Sequence, residues 1–294
     1  MKEVIKDDFE RKNILEPVRI LTMTVLGFLP ESIDRKIFLA FSGNNSNSDA
    51  KKVVSSAASA QAVEIVYTFR ERQKNGQTKA MDNFWFDFLL NTRALRNRMI
   101  LVKRIIASLI QKVSENKEAV NILSLGCGST RAVLEVVASL SRSKNIFLKL
   151  IDINRSAIRI SKNLAHSLNL DINKISWEIG KAECVQDYCC DFHPDIVEVV
   201  GLLDYFPTER AVNLISLVKE VIAPNGWLIC GNIIPNLESK FVQKGIGWPI
   251  MIYRKPNELR EVVAKGGFPL NQIQIVLEPL HIHAVAVAQK ILSP

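Results

Sequence analysis

NILSLGCGSTR at residues 121–131, followed by the acidic stop LIDI at residues 150–153, is the stretch that decides the fold. A short apolar run breaks into glycines, a helical stretch follows, and a second apolar run ends in a carboxylate. That order is the grammar of a nucleotide-binding β-loop-α-β unit. Glycine has no Cβ, so the backbone at Gly126 and Gly128 can approach a ligand closely. Asp152, at the tip of the next strand, is placed to accept hydrogen bonds from ribose hydroxyls.

Working outward, the pattern predicts strands near 121–125, 146–151, 175–179, 195–200, 226–231, 272–278 and 282–289. Helices are predicted near 129–142, 155–168, 208–222 and 256–265. Strands alternating with helices argue for a parallel sheet covered on both faces. Only Glu278 to His281, around Pro279, separate the last two strands. So short a connection makes an antiparallel hairpin at the sheet edge.

Residues 1–120 show helical rather than strand spacing. Met81–Val113 repeats apolar residues at three- and four-residue steps without Pro or Gly, as one long helix or two. SGNNSNSD at 42–49 and the run Gln73–Thr78 are expected as polar loops. The domain organisation expected is a helical extension or cap over 1–115 and a ligand-binding domain over 116–294.

At 294 residues and 48% apolar, the chain can bury a substantial core. Its five cysteines form no CxxC pair, Cys189 and Cys190 are adjacent, and the usage is that of reduced cytosolic thiols. The first ten residues mix acids and bases and show no signal peptide. The apolar run Val18–Leu29 is broken by Arg19 and Gly27 and is too short to span a bilayer; it is expected as a buried helix. Localisation is therefore expected to be cytoplasmic. The net charge of +8 is uneven: residues 1–120 hold 20 basic against 14 acidic side chains, and residues 121–294 hold 18 against 16. Arg93, Arg96, Arg98, Lys103 and Arg104 recur along one predicted helix, a conceivable RNA grip, but no aromatic residues are interleaved with them.

A parallel sheet closed by an antiparallel hairpin, with a Gly-x-Gly loop after its first strand, resembles the class I S-adenosylmethionine-dependent methyltransferases. The resemblance covers roughly residues 95–290 and implies an α/β, Rossmann-like class I methyltransferase sheet with an N-terminal helical extension. It implies S-adenosyl-L-methionine as cofactor, with Leu125, Gly126, Cys127 and Gly128 under its methionine part and Asp152 and Ile153 at the ribose. Lys181 and Ala182, in the GKAE loop at 180–183, would border the adenine, and Gly201 would follow the fourth strand. APNGWL at 223–228 resembles the turn that opens the fifth strand. The family often has an acidic residue where this chain has Ser124, and a third glycine where it has Thr130. The first departure leaves the cofactor's amino group without its usual carboxylate. GLLDYF (201–206), APNGWLICGN (223–232) and WPIMIYRKPNEL (248–259) are more loosely similar to bacterial methyltransferases that include enzymes linked to fatty-acid methyl-ester signals.

Methyl transfer from a sulfonium is an in-line displacement in which the protein aligns the nucleophile and excludes water. Groups at the carboxyl ends of strands are placed to do this. Asp204 and Tyr205 are the catalytic candidates, with Asp204 as proton acceptor and Tyr205 as hydrogen-bonding or stacking partner. Tyr253 and Arg254, after an apolar run containing Trp248 and Met251, are candidates for holding an anionic group of a greasy substrate, and Asn232 for facing the pocket. His281 and His283 alternate on a predicted strand without a third ligand nearby, so no metal is expected. Phe84, Trp85, Phe86 and Phe88 read as core or as a pocket wall.

The expected function is methyl transfer to a small, apolar or acyl-type molecule, with oxygen favoured as acceptor and no membrane span. An RNA methyltransferase gripping through the basic N-terminal helices and a non-catalytic binding protein on the same fold are the alternatives. A dehydrogenase fits less well, because the loop lacks the following glycine and the terminal hairpin does not suit it.

Overall fold

Strand β1, Ala119–Leu125, is buried along nearly its whole length, as a strand covered on both faces must be. In the computed structural model, which describes residues 8–12, 16–28, 33, 36, 48–140 and 143–291, it lies inside a seven-stranded sheet. The other strands are β2 (Asn145–Asp152), β3 (Ile175–Ile179), β4 (Ile196–Val199), β5 (Trp227–Ile233), β6 (Ile273–Leu277) and β7 (His283–Gln289). Their order is β3-β2-β1-β4-β5-β7-β6. The first five are parallel, and β7 runs antiparallel between β5 and β6. The order reverses between β1 and β4, and that switch point opens the crevice where open α/β sheets bind ligands.

The predicted strands agree with the observed ones to within two residues at each end. The hairpin is as expected and has an internal organiser. The buried Glu278 carboxylate accepts the backbone N–H groups of Leu280, Ile282 and His283 and the side-chain amide of Asn97. His281 takes φ 59° in this turn, so it does not share a strand face with His283, as the alternation had implied. No group of three or more metal-ligating side chains occurs among the described residues.

The described helices are α1 (Glu16–Phe28), α2 (Asp49–Ser55), α3 (Ala60–Tyr67), α4 (Phe69–Lys74), α5 (Ala80–Phe88), α6 (Leu90–Ser114), α7 (Arg131–Leu140), α8 (Arg155–Ser167), α9 (Val185–Tyr188), α10 (Thr208–Val221), α11 (Ser239–Lys244) and α12 (Pro256–Lys265). Helices α6, α7 and α8 bury one sheet face through Ile106, Ile110, Leu134 and Ile158. Helices α10 and α12 bury the other through Leu214, Val218, Leu259 and Val263. A third core joins α1, α2, α3 and α5 to α11, with Trp85 and Phe86 against Phe241 and Val242. Three of the four aromatics around Trp85 are thus core, and only Phe84 is exposed.

Of three N-terminal expectations, the first is resolved and the other two change. Met81–Val113 is two helices, because Leu89 is extended at ψ 123° and the Glu238 carboxylate caps the new helix by accepting Leu90 N and Asn91 N at 2.8 Å each. The polar run at 42–49 ends in helix: Ser48 caps α2 by accepting from Lys51 N, and Asp82 accepts Asp49 N and Ala50 N. Residues 42–47 lie outside the described residues, while the first part of the 73–78 loop is the end of α4. Helix α1 buries Arg19, Met23 and Leu26 but leaves Val18, Leu21, Val25 and Phe28 exposed, so the expected buried helix is buried on one side only, and Leu29 is outside the described residues. No helix among the described residues is long and apolar enough to cross a membrane.

Candidate active site

At the carboxyl ends of β1, β2 and β4 lies a cavity of about 490 Å³. Its floor is the loop that β1 feeds. Gly126 and Gly128 take φ 61° and 55°, a left-handed conformation that side chains resist. A Cβ on Gly128 would meet nothing nearer than Ala60 Cβ at 3.9 Å, so the backbone is open toward the cavity. Thr130, where a third glycine was missing, adopts the glycine conformation anyway at φ 54°. It accommodates this with a hydroxyl that donates to Cys127 O at 3.3 Å, and α7 starts at the next residue.

Asp152 stands on the rim, where Oδ2 accepts Gly128 N at 2.9 Å and Oδ1 accepts Asn154 N at 2.8 Å. Each oxygen keeps a lone pair for a ligand hydroxyl. Ile153, Lys181 and Ala182 also line the cavity, as do Cys127 and Gly201. Leu125 does not: it is fully buried in the core beneath the loop. Burial pushes the Cys127 thiol far up, which keeps it protonated.

Asp204 and Tyr205 both face the cavity from a short turn after β4. Asp204 Oδ1 accepts Ile233 N at 2.7 Å, which ties this turn to the end of β5, and Oδ2 lies 3.8 Å from Arg98 Nη1. Burial raises the Asp204 carboxyl above its ordinary value against the opposing pull of Arg98. Tyr205 accepts a hydrogen bond from Trp248 Nε1 at 2.8 Å.

The other three candidates have different surroundings. Arg254 is buried and donates to Leu203 O, Phe206 O and Asn232 Oδ1, so its charge staples the turn after β4 to β5. Asn232 is spent on that bond and on donating to Ile252 O. Neither of these nor Tyr253 lines the cavity. The greasy residues near them do: Trp248 and Met251 join Val53, Val66, Leu95 and Val242 in an apolar wall.

The basic stripe does not form one exposed surface. Arg93, Arg96 and Arg98 are buried, the first two against the Glu10 carboxylate, while Lys103 pairs with Glu135 at 2.5 Å and Arg104 lies over the Phe9 ring. Helical spacing alone could not show this, because Glu10 is remote in sequence.

Arg98, Tyr67, Glu198 and His283 are cavity residues that the motif reading missed. Glu198 had one visible signal, a lone carboxylate inside the apolar strand DIVEVV at 195–200. It sits beside Ser124 across the β1–β4 pairing and accepts a hydrogen bond from the Ser124 hydroxyl at 2.5 Å. Position 124 thus holds a serine that donates to a carboxylate on the neighbouring strand.

A family model described as "Putative methyltransferase" matches residues 35–290. Among solved structures, a possible exported protein from Bordetella parapertussis is similar at TM-score 0.64 and 14% identity, over 94% of this chain and 97% of its own. An O-methyltransferase family protein from Burkholderia thailandensis is similar at TM-score 0.56 and 12% identity, over 94% and 72%. Magnesium protoporphyrin IX methyltransferase from Synechocystis, with bound S-adenosylhomocysteine, is similar at TM-score 0.52 and 16% identity, over 76% and 94%. At such identities the likeness is one of fold. A search of curated protein sequences finds no match.

Proposed function

Because the chain belongs to the family described as "Putative methyltransferase" and has the class I fold that uses S-adenosylmethionine, we propose that it methylates an oxygen of a small, largely apolar molecule. The observation that carries this reading is one cavity lined both by the glycine loop and Asp152 and by the apolar side chains Val53, Val66, Leu95, Val242 and Met251. The cofactor supplies an electrophilic methyl group on a sulfonium.

Everything else is done by the chain. The open backbone at Gly128 admits the cofactor, Gly126 and Gly201 line the cavity beside it, and the free lone pairs of Asp152 take its ribose hydroxyls. Ile153, Lys181 and Ala182 border its base. The apolar wall, much of it from the N-terminal helices, holds the substrate's body and keeps water out. In this reading residues 1–115 are the cap and residues 116–294 the cofactor-binding unit. Tyr205 and Asp204 line the same cavity. The Tyr205 hydroxyl accepts from Trp248, which leaves its own proton to donate to the acceptor oxygen. Asp204 Oδ2, which faces Arg98, takes a proton where the acceptor is a hydroxyl. The fold is shared with an O-methyltransferase family protein and a magnesium protoporphyrin IX methyltransferase.

The test is incubation with methyl-labelled cofactor and a lipid or metabolite extract, followed by mass analysis of the labelled product. The expected product is apolar and gains one methyl group on oxygen. No thermal shift with S-adenosylmethionine, together with Asp152→Ala behaving as wild type, would sink the reading.

A further inference from the structure

Two buried side chains of opposite charge face the cavity without neutralising one another. Glu198 comes from β4, and its register partner on β1 is Ser124, so both side chains leave the same face of the sheet. Only Glu198 reaches the cavity. Its Oε2 accepts from the Ser124 hydroxyl, and Oε1 accepts Val200 N at 2.9 Å. These two neutral donors leave lone pairs on both oxygens. No ion pair to Glu198 forms among the described residues, and burial pushes its carboxyl up to about 7 against Ser124, Val200 N and Arg98. A buried carboxylate in that condition lacks a cation.

Arg98 is only loosely paired. It reaches the cavity from α6 and is buried, with Nη2 donating to the Tyr67 hydroxyl at 3.1 Å. Its ion pair with Asp204 is long, at 3.8 Å, and its Nε has no hydrogen-bond partner. A Cβ on Gly201 would come within 3.6 Å of both terminal nitrogens, so glycine there leaves the guanidinium open beside the loop after β4. His283 does not supply the missing cation. Burial, reinforced by Arg98, holds its imidazole neutral.

The complement of a carboxylate without an ion pair and a guanidinium held only by a long one, in one cavity, is a zwitterion. We propose that Glu198 and Arg98 hold the α-amino-acid end of the cofactor, with Glu198 receiving the ammonium and Arg98 the carboxylate. A substrate carboxylate on Arg98 alone would leave Glu198 without a cation, which is why the amino acid fits better than an acidic substrate. The inference rests on the methyltransferase reading and adds that the amino-binding carboxylate has moved from β1 to β4.

The test compares S-adenosylhomocysteine with 5′-methylthioadenosine, which keeps the adenosine and the thioether but lacks the amino acid. Dissociation constants are measured by calorimetry for wild type, Glu198→Gln and Arg98→Met. Glutamine keeps the shape of Glu198 and an oxygen for Ser124, and the methylthioadenosine affinity reports that each variant is folded. Each variant is expected to weaken S-adenosylhomocysteine binding by about tenfold or more, the worth of a charged hydrogen bond, and to leave methylthioadenosine within twofold. Equal weakening of both ligands, or S-adenosylhomocysteine binding within twofold of wild type in Glu198→Gln, overturns the proposal. So does a wild type that binds the two ligands equally. A wild type that binds neither ligand overturns the methyltransferase reading itself and this proposal with it.

Discussion

Glu10 ties α4 to α6, the helix that carries Arg98, and replacing it with glutamine is the sharpest test of that architecture. Its carboxylate accepts from Arg70 at 3.0 and 2.7 Å, from Arg96 at 2.9 Å and from Arg93 at 3.3 Å. Its backbone is fixed as well, since Glu10 N donates to Asn97 Oδ1 at 2.7 Å and Asn97 Nδ2 donates to Glu10 O at 2.8 Å. Arg93 and Arg96 side chains are 6% and 3% exposed, so Glu10→Gln leaves two buried guanidinium groups without their anion. Breaking one partner of a buried ion pair costs about 3–5 kcal/mol.

A second route reaches a similar figure. Burial raises the Glu10 carboxyl, but Arg96 and Arg70 outweigh it and hold it at about 2 against an ordinary 4.5. That difference corresponds to about 3.4 kcal/mol at neutral pH. Arg70 is 38% exposed and also pairs with Asp87 at 2.6 Å, so its share is screened and the expected loss is about 3 kcal/mol. The sign follows from the direction: a depressed carboxylate stabilises above pH 4.5, and the gain is lost as pH falls toward 2. At pH 3.5 the gap between wild type and variant should be about 1.4 kcal/mol smaller than at pH 7. Guanidinium unfolding followed by tryptophan fluorescence measures both values, because Trp85 lies in the core of the cap. A loss below about 1 kcal/mol at pH 7, or a gap that does not shrink in acid, refutes the assignment of Glu10 as the hub.

Four further outcomes are expected. Asp152→Ala should raise the dissociation constant for S-adenosylhomocysteine by about tenfold or more, and orphaning Gly128 N should cost about 1–2 kcal/mol of stability, read by calorimetry and denaturant melts. Arg254→Met should cost about 3 kcal/mol in a urea melt, since it strips donors from Leu203 O, Phe206 O and Asn232 Oδ1. Thr130→Gly should unfold at no lower denaturant concentration than wild type, because relief of about 1 kcal/mol of left-handed strain offsets glycine's entropy; a drop beyond about 1 kcal/mol counts against this. S-adenosylhomocysteine should bind more tightly as pH rises through about 7, with release of a proton, because its ammonium selects ionised Glu198. Conversely the free protein should lose the contribution of protonated Glu198 over pH 4.5 to 7, and Glu198→Gln should flatten both profiles.

The sheet was legible because its signal is local. Parallel strands covered on both faces read as continuous apolar runs, so β1, β4 and β5 stand out between their glycines and turn residues. The glycine loop and Asp152 were legible for the same reason, since each needs only its own backbone position. Side chains whose partners are remote were not. The break at Leu89 depends on Glu238, nearly 150 residues away, and within Met81–Val113 no residue marks it. Arg254 looked like an anion-binding cation beside aromatics, yet backbone carbonyls of the turn after β4 consume its donors. Arg93 and Arg96 looked like a basic stripe until Glu10 was seen to fold over them.

Glu198 shows how such errors can be reduced. Reading along one strand, Ser124 is a lost carboxylate, which favours a fold that no longer binds its cofactor. Reading across the sheet, β1 and β4 are in register, with Ser124 opposite Glu198, and adjacent parallel strands send paired residues to the same face. A carboxylate can then move from one strand to the next with little displacement of its oxygens, provided a small side chain takes its former place. Serine is small and also donates the hydrogen bond that orients the new carboxylate. The departure that weakened the motif is thus half of a pair. The other half was visible as the lone acid in an otherwise apolar buried strand, a residue that burial penalises unless a ligand or partner meets it.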